Sequence, residues 1–257
     1  MKVALVTGGT RGIGAAVADR LRHDGWQVVI SARTSPLPSR EGVGGRGSPA
    51  DPTQAAAVPS PSVPVFLPCD VADAAAVQAL FAAIQARFGR LDALVTCAGI
   101  AGANRLDGDD TLWHAIVGSN LHGTYHCCKA ALPLLPDQTG RIVTLASVLG
   151  LRGVPDQTAY CAAKHGVVGF TRALALALAP RGITVNALCP GWVDTDMAHQ
   201  RFLELGLTPD QAAAGLPTGR IVAPAEVADA VTWLLRPESR SLTGHALPLD
   251  GGGLALP

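Results

Sequence analysis

The stretch from residue 3 to residue 21 limits the possible folds more than any other part of the chain. Val3-Ala4-Leu5-Val6 is a short apolar run that enters the cluster Thr7-Gly8-Gly9-Thr10-Arg11-Gly12-Ile13-Gly14, and a helical pattern follows through Val17 and Leu21. A strand, a glycine turn and an amphipathic helix in immediate succession form the opening of a βαβ unit. Gly8, Gly12 and Gly14 let the backbone turn sharply and pass close to a ligand. Thr10, Arg11 and Ile13 sit where the helix begins, and the N–H groups there can hold a pyrophosphate. In this context the turn reads as a dinucleotide site rather than an ordinary loop.

The rest of the chain keeps the same rhythm. Gly25 stops the first helix, and further strands are expected at Val28–Ile30, Val65–Leu67, Ala93–Thr96, Ile142–Leu145, Thr184–Leu188 and Ala246–Leu249. Helical patterns lie between them at Ala74–Arg87, Leu112–Leu132, Ala159–Ala179 and Ala225–Leu235. Strands alternating with helices predict an α/β fold: one domain over 1–257, a doubly wound parallel sheet with helices on both faces. Residues 35–64 break the pattern. They are rich in Pro, Gly and Ser and poor in large apolar residues, which predicts a disordered or loosely packed insertion, with a short helix near 53–58.

Composition excludes several classes. Twenty basic and twenty acidic residues balance to a formal charge of zero, so neither nucleic acid nor an anionic membrane is an expected partner. Six cysteines without a C-x-x-C pair read as reduced thiols of a cytosolic protein. The N-terminus reaches its glycines too soon for a signal sequence, and Arg172 interrupts the longest apolar run. The expectation is a soluble, cytoplasmic protein.

Charge also bears on the nucleotide. A site for NAD(H) normally offers Asp or Glu at the end of the second strand. Here that position reads Ile30-Ser31-Ala32-Arg33, and Arg33, with Arg11, could pair a 2′-phosphate. NADP(H) is therefore expected ahead of NAD(H). Further along, Tyr160 and Lys164 stand one helical turn apart and share a face. An ammonium beside a phenol is expected to lower the phenol's pKa and make it an acid–base group. Ser147 follows a strand end, the position from which an open α/β sheet presents side chains to its ligand crevice.

Together these residues resemble the short-chain dehydrogenase/reductases, a Rossmann-type family. The resemblance rests on the Thr7–Gly14 turn, Asp70-Val71, Ala98-Gly99, Trp113 ahead of Asn120, and Ser147. It continues through Tyr160 with Lys164, Asn186, Pro190-Gly191, Val193 with Thr195, and Asp250-Gly251-Gly252. It implies that Tyr160 exchanges a proton with the substrate oxygen, Ser147 orients that oxygen, and Lys164 holds the nicotinamide ribose. Asn120 would anchor a water relaying protons to Lys164. Asp70 and Val71 would meet adenine; Cys97, Ala98, Gly99, Pro190 and Gly191 would line the cofactor; and Val193 and Thr195 would fix the carboxamide. The chain departs from the family in Thr96-Cys97-Ala98-Gly99, where Asn-Asn-Ala-Gly is usual, which bears on local stability more than on chemistry.

The resemblance also implies a homotetramer (or dimer) packed through the helices at 112–132 and 159–179. The run Leu174–Ala179 is apolar around most of its circumference and should be buried on more than one side. His122 and His126 beside Cys127 and Cys128 have metal-like spacing but no third ligand, so they read as a packing face. Ile100, Val148, Leu149, Val154, Trp192 and a mobile lid (197–216, within 196–220) are expected to line an apolar pocket for a small carbonyl or alcohol substrate, hydrophobic or aromatic in part. The alternatives are a 3-oxoacyl-carrier-protein reductase, an NAD-dependent alcohol dehydrogenase and, in a different class, a non-catalytic dinucleotide sensor. A sensor would not need Asn120, Ser147, Tyr160 and Lys164 together.

Overall fold

A computed structural model describes residues 1–34 and 63–256. The insertion expected at 35–64, with its short helix, therefore lies almost wholly outside the described residues. Seven parallel strands form one sheet: β1 (Val3–Thr7), β2 (Gln27–Ala32), β3 (Val65–Pro68), β4 (Ala93–Thr96), β5 (Arg141–Leu145), β6 (Thr184–Pro190) and β7 (Ala246–Leu249). Their spatial order is β3-β2-β1-β4-β5-β6-β7, all pairs parallel. Strand order reverses between β1 and β4, and a crevice for a ligand opens at such a switch point, outside the strands' C-terminal ends.

Helices cover both faces of the sheet. On one side α1 (Gly12–His23) and α8 (Pro224–Leu234) bury Val17, Leu21, Val227 and Val231 against Ala4, Val6, Val28 and Val95. On the other, α2 (Ala74–Phe88), α4 (Gly123–Ala131) and α5 (Thr158–Leu178) bury Leu80, Ile84, Cys127 and Leu178 against Leu5, Val29, Leu94 and Ile142. A strand buried on both faces needs an unbroken apolar run, which is why β1 and β4 read so clearly in the sequence. Helix α2 is closed at both ends by local chemistry. Asp73 accepts from the amides of Ala75 (2.8 Å) and Ala76 (3.3 Å), and Gly89 at φ 70° ends the helix in the left-handed region.

The structure adds detail at three of the expected elements. The helix expected at 112–132 is α3 (Thr111–Val117) and α4 joined through a π-helical turn, Gly118–His122, which presents Asn120. Such single turns often mark functional positions. The segment 196–220, expected as a lid, contains two helices, α6 (Asp196–Leu205) and α7 (Pro209–Ala214), that were not foreseen in it. Phe202 (1% exposed) and Ala198 anchor α6 against Trp192 and Ile221. The apolar run at the end of α5 is buried on one side only: Ala175 and Leu178 face the core while Leu176 is 78% exposed.

Candidate active site

The glycine turn follows β1 and packs against the end of β4. Gly8 takes φ 65°, and a Cβ there would lie 2.8 Å from the Ala98 Cα. A methyl on Gly14 would collide with the carbonyl oxygen of Gly8, because α1 starts tight against the turn. Gly14→Ala is expected to cost about 1–3 kcal/mol of stability and to displace the first helical turn. Thermal unfolding and a nucleotide titration should both register the change; an unaltered nucleotide affinity would refute this role for the turn.

The turn suits a pyrophosphate on its own evidence. Arg11 provides no side-chain cap, and the first turn of α1 holds no acidic residue, so nothing local neutralises its N-terminal amides. Gly12, at φ 52°, leaves its Cβ position open toward the Thr195 methyl 3.4 Å away, so the loop after β6 faces the turn. Arg33 and Arg11 are exposed on this edge of the sheet. Asp70 is exposed too, its carboxylate taken by the Ala72 amide at 3.0 Å, whereas the Val71 side chain is buried against Gly123 of α4.

From the switch point, a cleft of about 600 Å³ runs along the ends of β4, β5, β6 and β7. Ile13, Cys97, Gly99, Pro190, Gly191, Val193 and Thr195 line it together with Ser147, Tyr160 and Lys164. The sequence-derived residues Gly8, Thr10, Arg11, Gly12, Gly14, Arg33, Asp70, Val71 and Ala98 lie outside these walls, as does Asn120.

These three groups come from two elements, Ser147 from the end of β5 and Tyr160 with Lys164 from α5. Ser147 directly follows β5 and caps a short 3₁₀ turn (Val148–Gly150), its Oγ accepting from the Leu149 amide at 3.1 Å. Gly150 lets that turn close on α5, since a Cβ would come within 2.7 Å of the Lys164 carbonyl oxygen. Tyr160 lies in the first turn of α5, its ring packed against Ile116, Ala159 and Ala163. Lys164 is buried; its Nζ donates to the Leu145 carbonyl at 2.6 Å and stands 5.5 Å over the centre of the Tyr160 ring.

Burial dominates the electrostatics here. It pushes the Tyr160 phenol up to about 12, while the Ser147 hydroxyl beside it draws the value back down. It lowers Lys164 to about 8. This corrects the expectation that the neighbouring ammonium would bring the phenol below its usual value: Nζ lies over the ring face, and desolvation is the larger effect. Burial also pushes the Cys97 thiol up to about 12, which leaves it a protonated packing residue beside the cleft.

Other residues differ from their expected places. Ile100 turns away from the cleft into the cluster around Ile116, and its backbone holds the Asn120 amide in both directions at 2.8 Å. The Asn120 side chain is thus committed to the loop after β4, and the Asn120 backbone carbonyl accepts from the Thr124 hydroxyl at 2.8 Å. His126 meets the Val71 carbonyl, and among the described residues no three His, Cys, Asp or Glu side chains gather as a metal site. Val148, Leu149, Val154, Trp192, Met197 and Leu216 do line the cleft. Sequence reasoning missed its polar rim of Arg152, Asp156, Gln157 and Arg201, and the C-terminal wall of Gly253 and Leu254. Asp250 builds that wall by accepting from the amides of Gly252 (3.0 Å) and Leu254 (2.8 Å).

Comparison with known proteins identifies the family. A family profile described as "Enoyl-(Acyl carrier protein) reductase" matches residues 8–253. The chain belongs to the short-chain dehydrogenase/reductase family. It is 39% identical to a putative ketoacyl reductase of Streptomyces coelicolor, covering 98% of this chain and 96% of that one. It is 35% identical to 3-oxoacyl-[acyl-carrier-protein] reductase of Escherichia coli, over 98% and 96%. A solved variant of actinorhodin polyketide ketoreductase with NADPH superposes at a TM-score of 0.84, with 37% identity over 98% of this chain and 97% of that one. Membership of this family makes the chain an oxidoreductase. No helix among the described residues is long and apolar enough to cross a membrane.

Proposed function

We propose that this short-chain dehydrogenase/reductase reduces a ketone with NADPH, on a substrate that is hydrophobic or aromatic in part. The convergence of Ser147, Tyr160 and Lys164 in one apolar cleft carries the reading. Bound NADPH would supply the hydride. Tyr160, with a phenol near 12, is protonated at neutral pH and can donate to an oxygen that is becoming an alkoxide. Ser147 orients that oxygen. Lys164 holds the nicotinamide ribose and, titrating near 8, can return the proton to Tyr160. Asn120 braces Ile100 and so the loop that flanks the nicotinamide. The reverse reaction uses the same groups, with Tyr160 taking the alcohol proton as phenolate.

Gly8, Gly12 and Gly14 with the start of α1 would take the pyrophosphate; Asp70 and Val71 would flank adenine; Val193 and Thr195 would meet the carboxamide. Arg33 and Arg11 would select NADP(H) over NAD(H) by pairing the 2′-phosphate. The outer faces of α4 and α5, with Leu176 and Tyr125 exposed, would join copies of the chain into a homotetramer.

The test is NADPH consumption with ketones of increasing apolar bulk, run beside nucleotide titrations of wild type and Arg33→Ala. Arg33→Ala is expected to weaken NADPH about 10- to 100-fold, the loss of one or two charge-assisted bonds, and to leave NADH unchanged. Equal losses for both nucleotides would remove the 2′-phosphate argument. A second reading, a 3-oxoacyl substrate tethered to a carrier protein, is favoured by the ketoacyl relatives. Turnover of an acyl thioester far above that of free ketones would select it.

A further inference from the structure

Tyr160 sits in the first turn of α5, and a first turn is where a helix frays unless its free amides are bonded. This helix starts poorly by local criteria. Gln157 occupies the cap position and makes no side-chain cap bond, and the first turn holds no acidic residue. The missing acceptor comes from a loop more than fifty residues earlier. Asn104, between β4 and α3, accepts from the Ala159 amide through Oδ1 at 3.0 Å and donates from Nδ2 to the Thr158 hydroxyl at 2.7 Å. Its backbone N–H donates to the Asp156 carbonyl at 2.9 Å, and a β-bridge pairs Asn104 with Gln157.

These bonds do the work of a true cap residue, which accepts from the second or third amide of its own helix. They also join two walls of the cleft. The segment carrying Asn104 begins with Gly99 and Ala101, and Asp156 and Gln157 border the cleft directly before α5. Asp156 is held from a third side by Arg201 of α6, which is 13% exposed and also bonds Glu204 at 3.0 Å.

We propose that Asn104 is a positioning residue for Tyr160: by capping α5 from outside, it holds the first turn so that the phenol faces Ser147 and the substrate oxygen. The inference rests on the proposed role of Tyr160. Asn104 touches neither substrate nor cofactor, so its effect should fall on proton delivery and leave binding intact.

The experiment compares wild type, Asn104→Ala, Asn104→Asp and Tyr160→Phe in NADPH-dependent ketone reduction. The readouts are kcat, KM, NADPH affinity, folded fraction and the solvent deuterium isotope effect on kcat. Asn104→Ala is expected to lower kcat about 10- to 100-fold, the scale of an ångström-level misplacement, with KM and NADPH affinity within about twofold. Its solvent isotope effect should rise as proton transfer becomes slower than the other steps. Asn104→Asp can accept from both the Ala159 amide and the Thr158 hydroxyl, so it should recover kcat to within about threefold of wild type. An unchanged kcat in Asn104→Ala overturns the proposal. So does a kcat loss explained by folded fraction at constant isotope effect, or an Asp variant no better than Ala. Substantial turnover by Tyr160→Phe would instead remove the proposed function beneath it, and the two failures are read from different variants.

Discussion

Replacing Tyr160 by Phe is expected to lower kcat about 10²–10⁴-fold, the usual contribution of a positioned general acid, while NADPH still binds. The substitution removes one oxygen and keeps the ring that packs against Ile116, Ala159 and Ala163. Stability should hold or rise, since burial opposes any charge on the phenol and the hydroxyl itself is desolvated. Wild-type alcohol oxidation should climb with pH well past neutrality, because it needs the phenolate and the phenol titrates near 12. Reduction should show no such climb. Steady-state rates in both directions over a pH series check this, and a Phe variant keeping more than about a tenth of wild-type turnover would rule out the mechanism.

Lys164→Met should separate activity from stability. Turnover is expected to fall by orders of magnitude, since the ribose contact and the proton return both go. The fold without nucleotide should nevertheless gain. Burial holds Lys164 near 8, below its ordinary value, so the folded state binds the proton less tightly than the unfolded chain. The resulting penalty is full below about pH 8 and fades as pH rises toward the unfolded pKa; it amounts to about 3 kcal/mol at neutral pH. Losing the bond to the Leu145 carbonyl offsets part of the gain, about 1–2 kcal/mol. A net rise in Tm of a few degrees at pH 7, vanishing near pH 10, is the expected outcome for a chain of this size. A lower Tm at pH 7 would mean that the Leu145 bond outweighs desolvation.

Much of the fold could be read from residues near one another in the chain. Val3–Val6 of β1, Ala93–Val95 of β4 and Ile142–Val143 of β5 are apolar runs because both sheet faces are covered, and the glycine cluster marks the turn from β1 into α1. The lid helices went unread although their signals are present. Thr195 caps α6 and Gly206 ends it at φ 66°, while Thr208 and Gln211 make a capping box for α7, with Pro209 at its first position. Their polar composition hid them, because only Ala198, Phe202 and Ala212 are buried. The π-turn at Gly118–His122 was also invisible, since one extra residue per turn barely alters apolar spacing.

The sequence by itself determined the parallel α/β architecture, the glycine turn between β1 and α1, and Ser147, Tyr160 and Lys164 as candidate groups, which the cleft brings together. In each case the spacing along the chain is also the spacing in space: one strand end, one helical turn. Tertiary structure alone decided what surrounds them. Desolvation reversed the expected shift of Tyr160, Ile100 turned into the core, and Arg201 met Asp156 across the mouth of the cleft. The first turn of α5 found its cap in Asn104, a residue on another loop. Burial and contacts between distant segments arise only when the sheet is assembled, so no local pattern records them.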